Sequence, residues 1–357
     1  MDIENKSGLL FPEDLNQWYA WQRSTNRIGN VKHTIKQVAS WGKLSHISAP
    51  SRIFLSSRGS RPSQLVVALD SIGATSLKAL IEPLAYTDVA ATVISHNDIT
   101  HYLPGEDWYV EEILLSEALN QLNPQVVLSA GHYLDLGSVT FELALHIGAD
   151  YVVSQHGLNT PFAPPLAPST HLLAFSQADA EFWISGRTDI TYDVVGSQLF
   201  WEAAQLPAMQ TPDEAAQPIF LGQMHGAELP RYSYAQAGYT FCKETGARYR
   251  PHPNEKDKLS VLTHALWDKM GIEIDRGREP LNTLTNPVVS IFSTGVLEAA
   301  IRGIPAWVYH PNPPAWVREF WDRYSLSEWG EAPTPAPAVP SMPPAQAIAQ
   351  YLEEKLK

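Results

Sequence analysis

The sequence predicts an α/β protein built from two doubly wound domains, and three observations support this fold class. Short apolar runs alternate with helix-spaced segments in two series, from Gln64 to Gly196 and from Ile219 to His310. A polar, proline-containing stretch at 205–218 separates the two series. The length of 357 residues exceeds one ordinary core and suits two domains. Strands that alternate with helices form parallel sheets covered by helices on both faces.

Composition excludes several classes of protein. A hydrophobic content of 44% is that of a folded globular chain. A net charge of −13 argues against general nucleic-acid binding, which needs a basic face. Cys242 is the single cysteine, so a disulfide framework and a thiolate zinc cluster are excluded. The first 15 residues include acidic ones and have no long apolar run, so we expect neither a signal peptide nor a membrane span.

The first series predicts a parallel sheet whose strands end in polar residues. Its predicted strands are 52–56, 65–69, 91–95, 125–129, 151–154, 172–176 and 193–196. Its predicted helices are 11–27, 75–84, 107–122, 137–147 and 178–184. Asp70, His132 and His156 each follow one of these strands. Ligands of such sheets bind beyond the carboxyl ends of the strands, so we expect these three residues near a ligand.

The second series predicts a smaller domain of the same kind. Its predicted strands are 219–221, 247–250, 272–274, 288–292 and 304–309. Its predicted helices are 232–245, 255–270, one after Ser293 that ends at Gly303, and 315–324. A proline-rich spacer at 331–344 and a helix at 345–356 complete the chain. We therefore expect an acceptor-side domain at 1–207, a ligand-binding domain at 208–330 and a tail at 331–357, with the ligand in a cleft between the domains.

Two loops of the second domain are candidates for binding an anion. Ser293, Thr294 and Gly295 lie at a helix N-terminus, where free N–H groups and the dipole favour negative charge. His252-Pro253 follows another strand, which we expect to be adjacent to the first. Glu298, in the helix after Ser293, could accept hydrogen bonds from a ribose diol. Together these residues suggest a nucleotide, while helix capping alone and a structural histidine remain alternatives.

The stretch from Ser293 to Ala300 with Gly303 to Val308 resembles the donor-binding unit of GT-B glycosyltransferases. His252-Pro253 with Ser293-Thr294 is similar to the His-Pro and Ser-Ser/Thr motifs of bacterial sialyltransferases and polysialyltransferases. In those enzymes the two motifs hold the phosphate of a CMP-activated sugar. The resemblance implies two Rossmann-like domains facing across a cleft and a nucleotide-sugar donor, with UDP-, CMP- and GDP-sugars all open.

The same stretch also resembles the nucleotide-binding half of UDP-N-acetylglucosamine 2-epimerases, which share the fold and a histidine-proline loop. Their Asp-Ser-Gly-Gly turn corresponds to Phe292-Ser293-Thr294-Gly295 here, and Glu298-Ala299 stands in place of their Glu-Glu pair. A sugar-nucleotide epimerase is therefore the alternative enzyme. A non-catalytic module that keeps the GT-B fold is a further alternative.

The catalytic base is expected in the first domain, and two residues compete for the role. His156 could take a proton from an acceptor hydroxyl, because the free imidazole pKa lies near working pH. Asp70 is the other candidate, and His132 is a third residue expected to bind substrate. Gly222, which opens the second domain, either contacts phosphates through its backbone or only forms a turn.

Sequence motifs of other mechanisms are absent. The chain has no Gly-x-Ser-x-Gly elbow, no Walker-type phosphate loop and no metal-binding Asp-x-Asp or His-x-x-x-His spacing. GT-B enzymes generally work without a catalytic metal, so the resemblance implies no metal and no cofactor. We expect a cytoplasmic glycosyltransferase of bacterial cell-envelope or capsule polysaccharide synthesis, acting on a glycan or lipid-linked acceptor. Loose attachment to the inner face of the membrane and the oligomeric state are left open.

Overall fold

The computed structural model describes residues 8–25, 52–207, 216–277 and 285–357. The chain divides into two compact units. One, the N-terminal unit, combines Ser7–Gln198 with Pro340–Lys357, and the other, the C-terminal unit, contains Leu199–Val339. The domain boundaries expected from the sequence, 207/208 and 330/331, stay a prediction.

The N-terminal unit contains an eight-stranded sheet. Its strands are β1 Arg52–Arg58, β2 Leu65–Leu69, β3 Ala91–Ser95, β4 Tyr109–Leu114, β5 Val126–Ser129, β6 Asp150–Ser154, β7 His171–Ala174 and β8 Thr191–Val194. They are ordered β4-β1-β3-β2-β5-β6-β7-β8. Six strands, β3, β2, β5, β6, β7 and β8 in sheet order, are parallel, whereas β1 runs antiparallel to both β3 and β4. The expected α/β fold class is confirmed, with a mixed edge on a mostly parallel sheet.

Helices cover both faces of this sheet. They are α1 Leu15–Thr25, α2 Ala74–Leu80, α3 Leu115–Gln121, α4 Asp135–Ile147 and α5 Gln177–Ile184. The next helix, α6 Gln198–Gln205, belongs to the C-terminal unit except for its first residue. Side chains alternate between the faces along each strand. Val66 and Ala68 of β2 accordingly belong to one apolar core, and Leu65 and Val67 to the other. Burial on both faces explains why this strand reads as an unbroken apolar run.

The helix predicted at 107–122 is wrong in its first half, because Tyr109–Leu114 forms the edge strand β4 and the helix begins only at Leu115. Two ion pairs, one to β1 and one to the loop that follows β1, hold the acidic side chains of this strand. Glu111 pairs with Arg61 at 2.9 Å, and Glu112 pairs with Arg52 at 3.6 Å. Pairing with a distant strand therefore overrides the local helical pattern.

The final helix, α11 Pro344–Lys355, belongs to the N-terminal unit. Its side chains Ile348 and Leu352 are buried in the same core as β2. The backbone N–H of Ala345 donates to the side-chain oxygen of Gln198 at 3.0 Å. The chain thus returns to the N-terminal unit after Val339.

The C-terminal unit contains four parallel strands, β9 Ile219–Leu221, β10 Arg248–Arg250, β11 Val288–Ser290 and β12 Ala306–Val308. Its helices are α7 Arg231–Thr245, α8 Lys258–Lys269, α9 Thr294–Ile301 and α10 Ala315–Arg323. The strand order is β10-β9-β11-β12. The expectation that β10 and β11 are adjacent is wrong, because β9 lies between them. The chain adds β10 on one side of β9 and β11 on the other. The point at which the strand order reverses, where open α/β sheets bind their ligands, therefore lies between β9 and β11.

In the described ranges, no helix combines the length and apolar character that a bilayer crossing requires.

Candidate functional site

The carboxyl ends of β9, β10 and β11 bring three loops to one edge of the C-terminal sheet. The loop after β9 occupies the middle and contacts both neighbours. On one side the ring of His225 stacks on the ring of His252, with centroids 3.8 Å apart. On the other side the backbone N–H of Phe292 donates to the side-chain oxygen of Gln223 at 3.1 Å. The loops of His252 and Ser293 therefore flank a shared central loop, roughly two strand spacings or 10 Å apart.

Glu255 links the loop after β9 to the loop after β10. Its side chain is fully buried. Its carboxylate accepts hydrogen bonds from four donors: the Tyr249 hydroxyl, the Met224 N–H, the His252 N–H and Nε2 of His264. These donors lie in β10, in the loop after β9, in the loop after β10 and in α8. Glu255 was predicted to begin a helix at 255–270, but α8 begins three residues later, after Asp257 caps it. A buried carboxylate of this kind is recognisable only once its partners are known.

His252 is held as a neutral hydrogen-bond donor. The backbone N–H of Asn254 donates to its Nδ1 at 3.1 Å, so the ring proton of the neutral form resides on Nε2. Burial, followed by the charge of His225, lowers the pKa of His252 to about 4. Within the described part of the chain, Nε2 has no hydrogen-bond partner. A neutral N–H donor at a strand end can contact a phosphate oxygen.

Ser293 caps α9, and its hydroxyl accepts the N–H of Gly295 at 3.2 Å. The N–H of Ser293 itself donates to the Ser290 hydroxyl at 2.9 Å. By contrast, the backbone N–H and the hydroxyl of Thr294 make no hydrogen bond to any residue that the structure describes. The two donors of Thr294 at a helix N-terminus are the groups that an anion would accept.

The remaining residues predicted for this site lie close to these donors in the chain. Glu298 is half-buried inside α9, and Pro253 is exposed in the turn after His252. Gly222 has a structural reason to be glycine: a Cβ there would lie 2.3 Å from the Tyr249 hydroxyl oxygen and 2.7 Å from a Glu255 carboxylate oxygen. Its N–H donates to the carbonyl of Arg250 at 2.8 Å, which occupies the donor that a phosphate would need.

A second His-Pro-Asn sequence, at His310, escaped the sequence analysis. As at His252, its Nδ1 accepts the N–H of the asparagine two residues later, here Asn312, at 3.1 Å. Its Nε2 therefore carries the proton and donates to the Ser233 hydroxyl at 2.8 Å. This pair resembles a serine nucleophile with its base, but the tautomer is wrong for proton abstraction. The same loop motif thus serves packing after β12, whereas after β10 its Nε2 donor has no partner among the described residues.

In the N-terminal unit, the carboxylate of Asp70 accepts hydrogen bonds from the backbone at the start of α4. Its two carboxylate oxygens accept the N–H groups of Leu136 at 2.7 Å and Gly137 at 3.0 Å. Nε2 of His96, which follows the neighbouring strand β3, lies 3.6 Å from one of these oxygens. The interaction with the Asp70 carboxylate is the main cause that raises the pKa of His96. His96 was not among the predicted site residues, although it follows a predicted strand just as Asp70 does.

His132 and His156 follow β5 and β6, so four neighbouring strands, β3-β2-β5-β6, end in His96, Asp70, His132 and His156. In both His132 and His156 the Nδ1 atom is buried without a hydrogen-bond partner. Burial lowers the pKa of His132 to about 4, and it also lowers that of His156. Both rings are therefore neutral at pH 7.

Across the described ranges, no group of three or more His, Cys, Asp or Glu side chains is placed to hold a metal ion.

Comparisons with known proteins give a likeness of fold. No protein-family model matches the chain, and no curated protein matches it. The UDP-GlcNAc 2-epimerase of Methanocaldococcus jannaschii, solved with UDP-GlcNAc and UDP, aligns with a TM-score of 0.50 at 12% identity, over 81% of this chain and 99% of that one. The pneumococcal O-GlcNAc transferase GtfA, with UDP and GlcNAc, aligns at 0.37 and 13% identity, over 69% and 55%. The kitacinnamycin glycotransferase aligns at 0.34 and 15%, over 68% and 72%. The epimerase likeness supports a GT-B fold of two Rossmann-like domains.

The lowered pKa of His252 predicts how stability depends on pH. In the unfolded chain an imidazole titrates near pH 6.5, whereas in the folded chain His252 titrates at about 4. Between these values the unfolded state binds more protons, so the contribution of His252 to stability is present above pH 6.5 and is lost as pH falls to 4. After allowance for solvent screening we expect a contribution of about 1 kcal/mol. Urea unfolding at pH 7 and pH 5 should show a smaller loss for His252→Asn than for wild type; equal losses would contradict this assignment.

Proposed function

We propose that this chain is a nucleotide-sugar enzyme of the GT-B type, and specifically a glycosyltransferase whose C-terminal unit binds the donor. One observation carries the proposal. Two sets of hydrogen-bond donors, Nε2–H of His252 and the N–H and hydroxyl of Thr294, have no partner among the described residues and lie on loops that flank one central loop. A diphosphate is an anion long enough to be contacted from both loops at once.

The donor chemistry follows from these groups. The free N–H groups at the N-terminus of α9 and the Thr294 hydroxyl would donate to one phosphate, and the neutral imidazole of His252 would donate to another oxygen. The Ser293 hydroxyl already accepts from Gly295, so its own proton is available for the same anion. Glu298, half-buried in the same helix, is our candidate for the ribose diol. These fixed donors would stabilise the charge that develops on the leaving nucleotide.

For the acceptor side we propose that the N-terminal unit supplies the base. Asp70 is held by two backbone N–H groups, and the partly exposed imidazole of His96 pairs with it. A carboxylate that orients a histidine is a general-base arrangement, so we assign Asp70 the orienting role and His96 the proton transfer. His156 remains the other candidate base, and His132 a residue that contacts the acceptor. A glycan or lipid-linked hydroxyl of bacterial polysaccharide synthesis is the acceptor class we propose.

Calorimetry with UDP, CMP and GDP tests the donor site. We expect one of the three to bind, and Thr294→Val to weaken that binding roughly 10-fold or more, because a hydrogen bond to a charged group contributes about 1.5–3 kcal/mol. Thr263→Val is a matched control, since the Thr263 hydroxyl already donates to the carbonyl of Leu259. No binding by any nucleotide, or equal binding by the Thr294 variant, would overturn the assignment. Preference for CMP would favour a sialyltransferase-like donor.

An epimerase is the second candidate, favoured by the fold shared with the UDP-GlcNAc 2-epimerase. Incubation with UDP-GlcNAc and no acceptor separates the two reactions, because an epimerase turns over without an acceptor. Formation of the 2-epimer would replace the transferase proposal; its absence, together with sugar transfer to an acceptor extract, would support it.

A further inference from the structure

Helix α8 of the C-terminal unit has a second apolar face that no described residue covers. One side of the helix is buried through Ser260, His264 and Trp267. The exposed side carries Leu259, Leu262, Leu266 and Met270, with 47, 65, 54 and 42% of their surface exposed. The spacing of three, four and four residues makes these four side chains one continuous stripe, which we call the leucine stripe.

The charges around the leucine stripe are predominantly basic. Lys258 precedes Leu262 by four residues and Lys269 follows Leu266 by three, so both ammonium groups border the stripe. Nζ of Lys243 donates to the carbonyl of Met270 at 2.9 Å and adds a third positive charge at this end. The acidic neighbours are already paired with arginines, Asp257 with Arg231 at 3.3 Å and Asp268 with Arg276 at 3.1 Å. Neither Lys258 nor Lys269 makes an ion pair to any described residue.

These charges argue against a second copy of the chain as the occupant. If two copies paired their leucine stripes antiparallel, Lys258 of one helix would face Lys269 of the other. If they paired parallel, each lysine would face its own equivalent. Either arrangement sets ammonium against ammonium at both ends of the contact, which is unfavourable.

An anionic bilayer surface fits both features of the helix. A helix lies in the plane of a membrane interface when leucines enter the acyl boundary and lysines beside them reach the headgroup phosphates. We propose that α8 docks this chain on an anionic lipid surface through the leucine stripe, Lys258 and Lys269. Because the whole chain carries a net charge of −13, the attraction to anionic lipid is limited to the lysines of this helix. Salt screens such an electrostatic attraction, so vesicle binding should weaken as the salt concentration is raised.

Vesicle co-sedimentation at low salt tests the docking surface. The full chain should bind vesicles of phosphatidylcholine with 30% phosphatidylglycerol at least about 10-fold more strongly than pure phosphatidylcholine. Leu262→Gln/Leu266→Gln and Lys258→Gln/Lys269→Gln should each lose that preference. Leu145→Gln is the matched control, because Leu145 is a helical leucine of the other unit with 60% of its surface exposed. Circular dichroism checks that each variant is folded.

Any of three results would overturn the proposal, the first two in vesicle binding and the third in oligomeric state. The first is failure of the wild-type chain to bind anionic vesicles, and the second is equal binding by the leucine variant. The third is a dimer in sedimentation equilibrium that the leucine variant dissociates while vesicle binding is unchanged, which would assign the stripe to a second copy. Vesicle binding needs no substrate, so this test is independent of the nucleotide-sugar proposal.

Discussion

Replacement of Glu255 by alanine is expected to lower the free energy of unfolding of the C-terminal unit by about 3–5 kcal/mol. The buried carboxylate accepts from Tyr249, Met224, His252 and His264, and its removal leaves those donors without an acceptor inside the protein. Because the chain has two units, unfolding should be followed by probes that separate them, such as hydrogen exchange resolved along the chain.

Two further variants make the Glu255 result specific. Glu244→Ala removes an exposed carboxylate from α7 of the same unit and should change stability by less than about 0.5 kcal/mol. Glu255→Gln keeps the size but turns an amide N–H₂ group toward hydrogen-bond donors, so it should also be destabilising. A loss below about 1 kcal/mol for the alanine variant would contradict the role of Glu255 as the link between the loops.

The double substitution His252→Ala/Thr294→Val is expected to weaken nucleotide binding by roughly 100-fold or more, since each site contributes about 1.5–3 kcal/mol. The two side chains lie on different loops with the β9 loop between them, so their effects should be close to additive. Calorimetry on the single and double variants measures both the effect and its additivity.

The double control His146→Ala/Thr263→Val changes the same residue types elsewhere. His146 is exposed at the end of α4, and the Thr263 hydroxyl is bonded within α8. This control should bind as wild type does. A double variant no weaker than the stronger single variant would mean that only one loop contacts the ligand.

The sequence predicted the interior strands most accurately. The predicted bounds 65–69, 91–95 and 219–221 coincide with β2, β3 and β9, because these strands are buried on both faces and read as uninterrupted apolar runs. The edge strand β4 was predicted as a helix, since its six residues become a strand only through pairing with β1. Local pattern is thus sufficient in the core of the sheet and insufficient at its edge.

The candidate site was predictable as residue types but not as a network. Ser293, Thr294 and His252 could be selected because each follows a predicted strand, and the structure brings their loops to one edge. The buried role of Glu255 and the pairing of His96 with Asp70 depend on contacts between distant segments, which no local pattern contains. His310 shares the His-Pro-Asn sequence with His252, so inspection of repeated tripeptides could have found it.

Nitrogen NMR of histidine-labelled protein during a nucleotide titration tests the donor assignment most directly. Before ligand is added, His252 should be neutral at pH 7 with its proton on Nε2, as the Asn254 contact requires. On saturation with UDP, CMP or GDP, its Nε2 signal should shift while the signals of the exposed His146 stay in place. An Nδ1–H tautomer at His252, or a signal that none of the three nucleotides moves, would contradict the assignment.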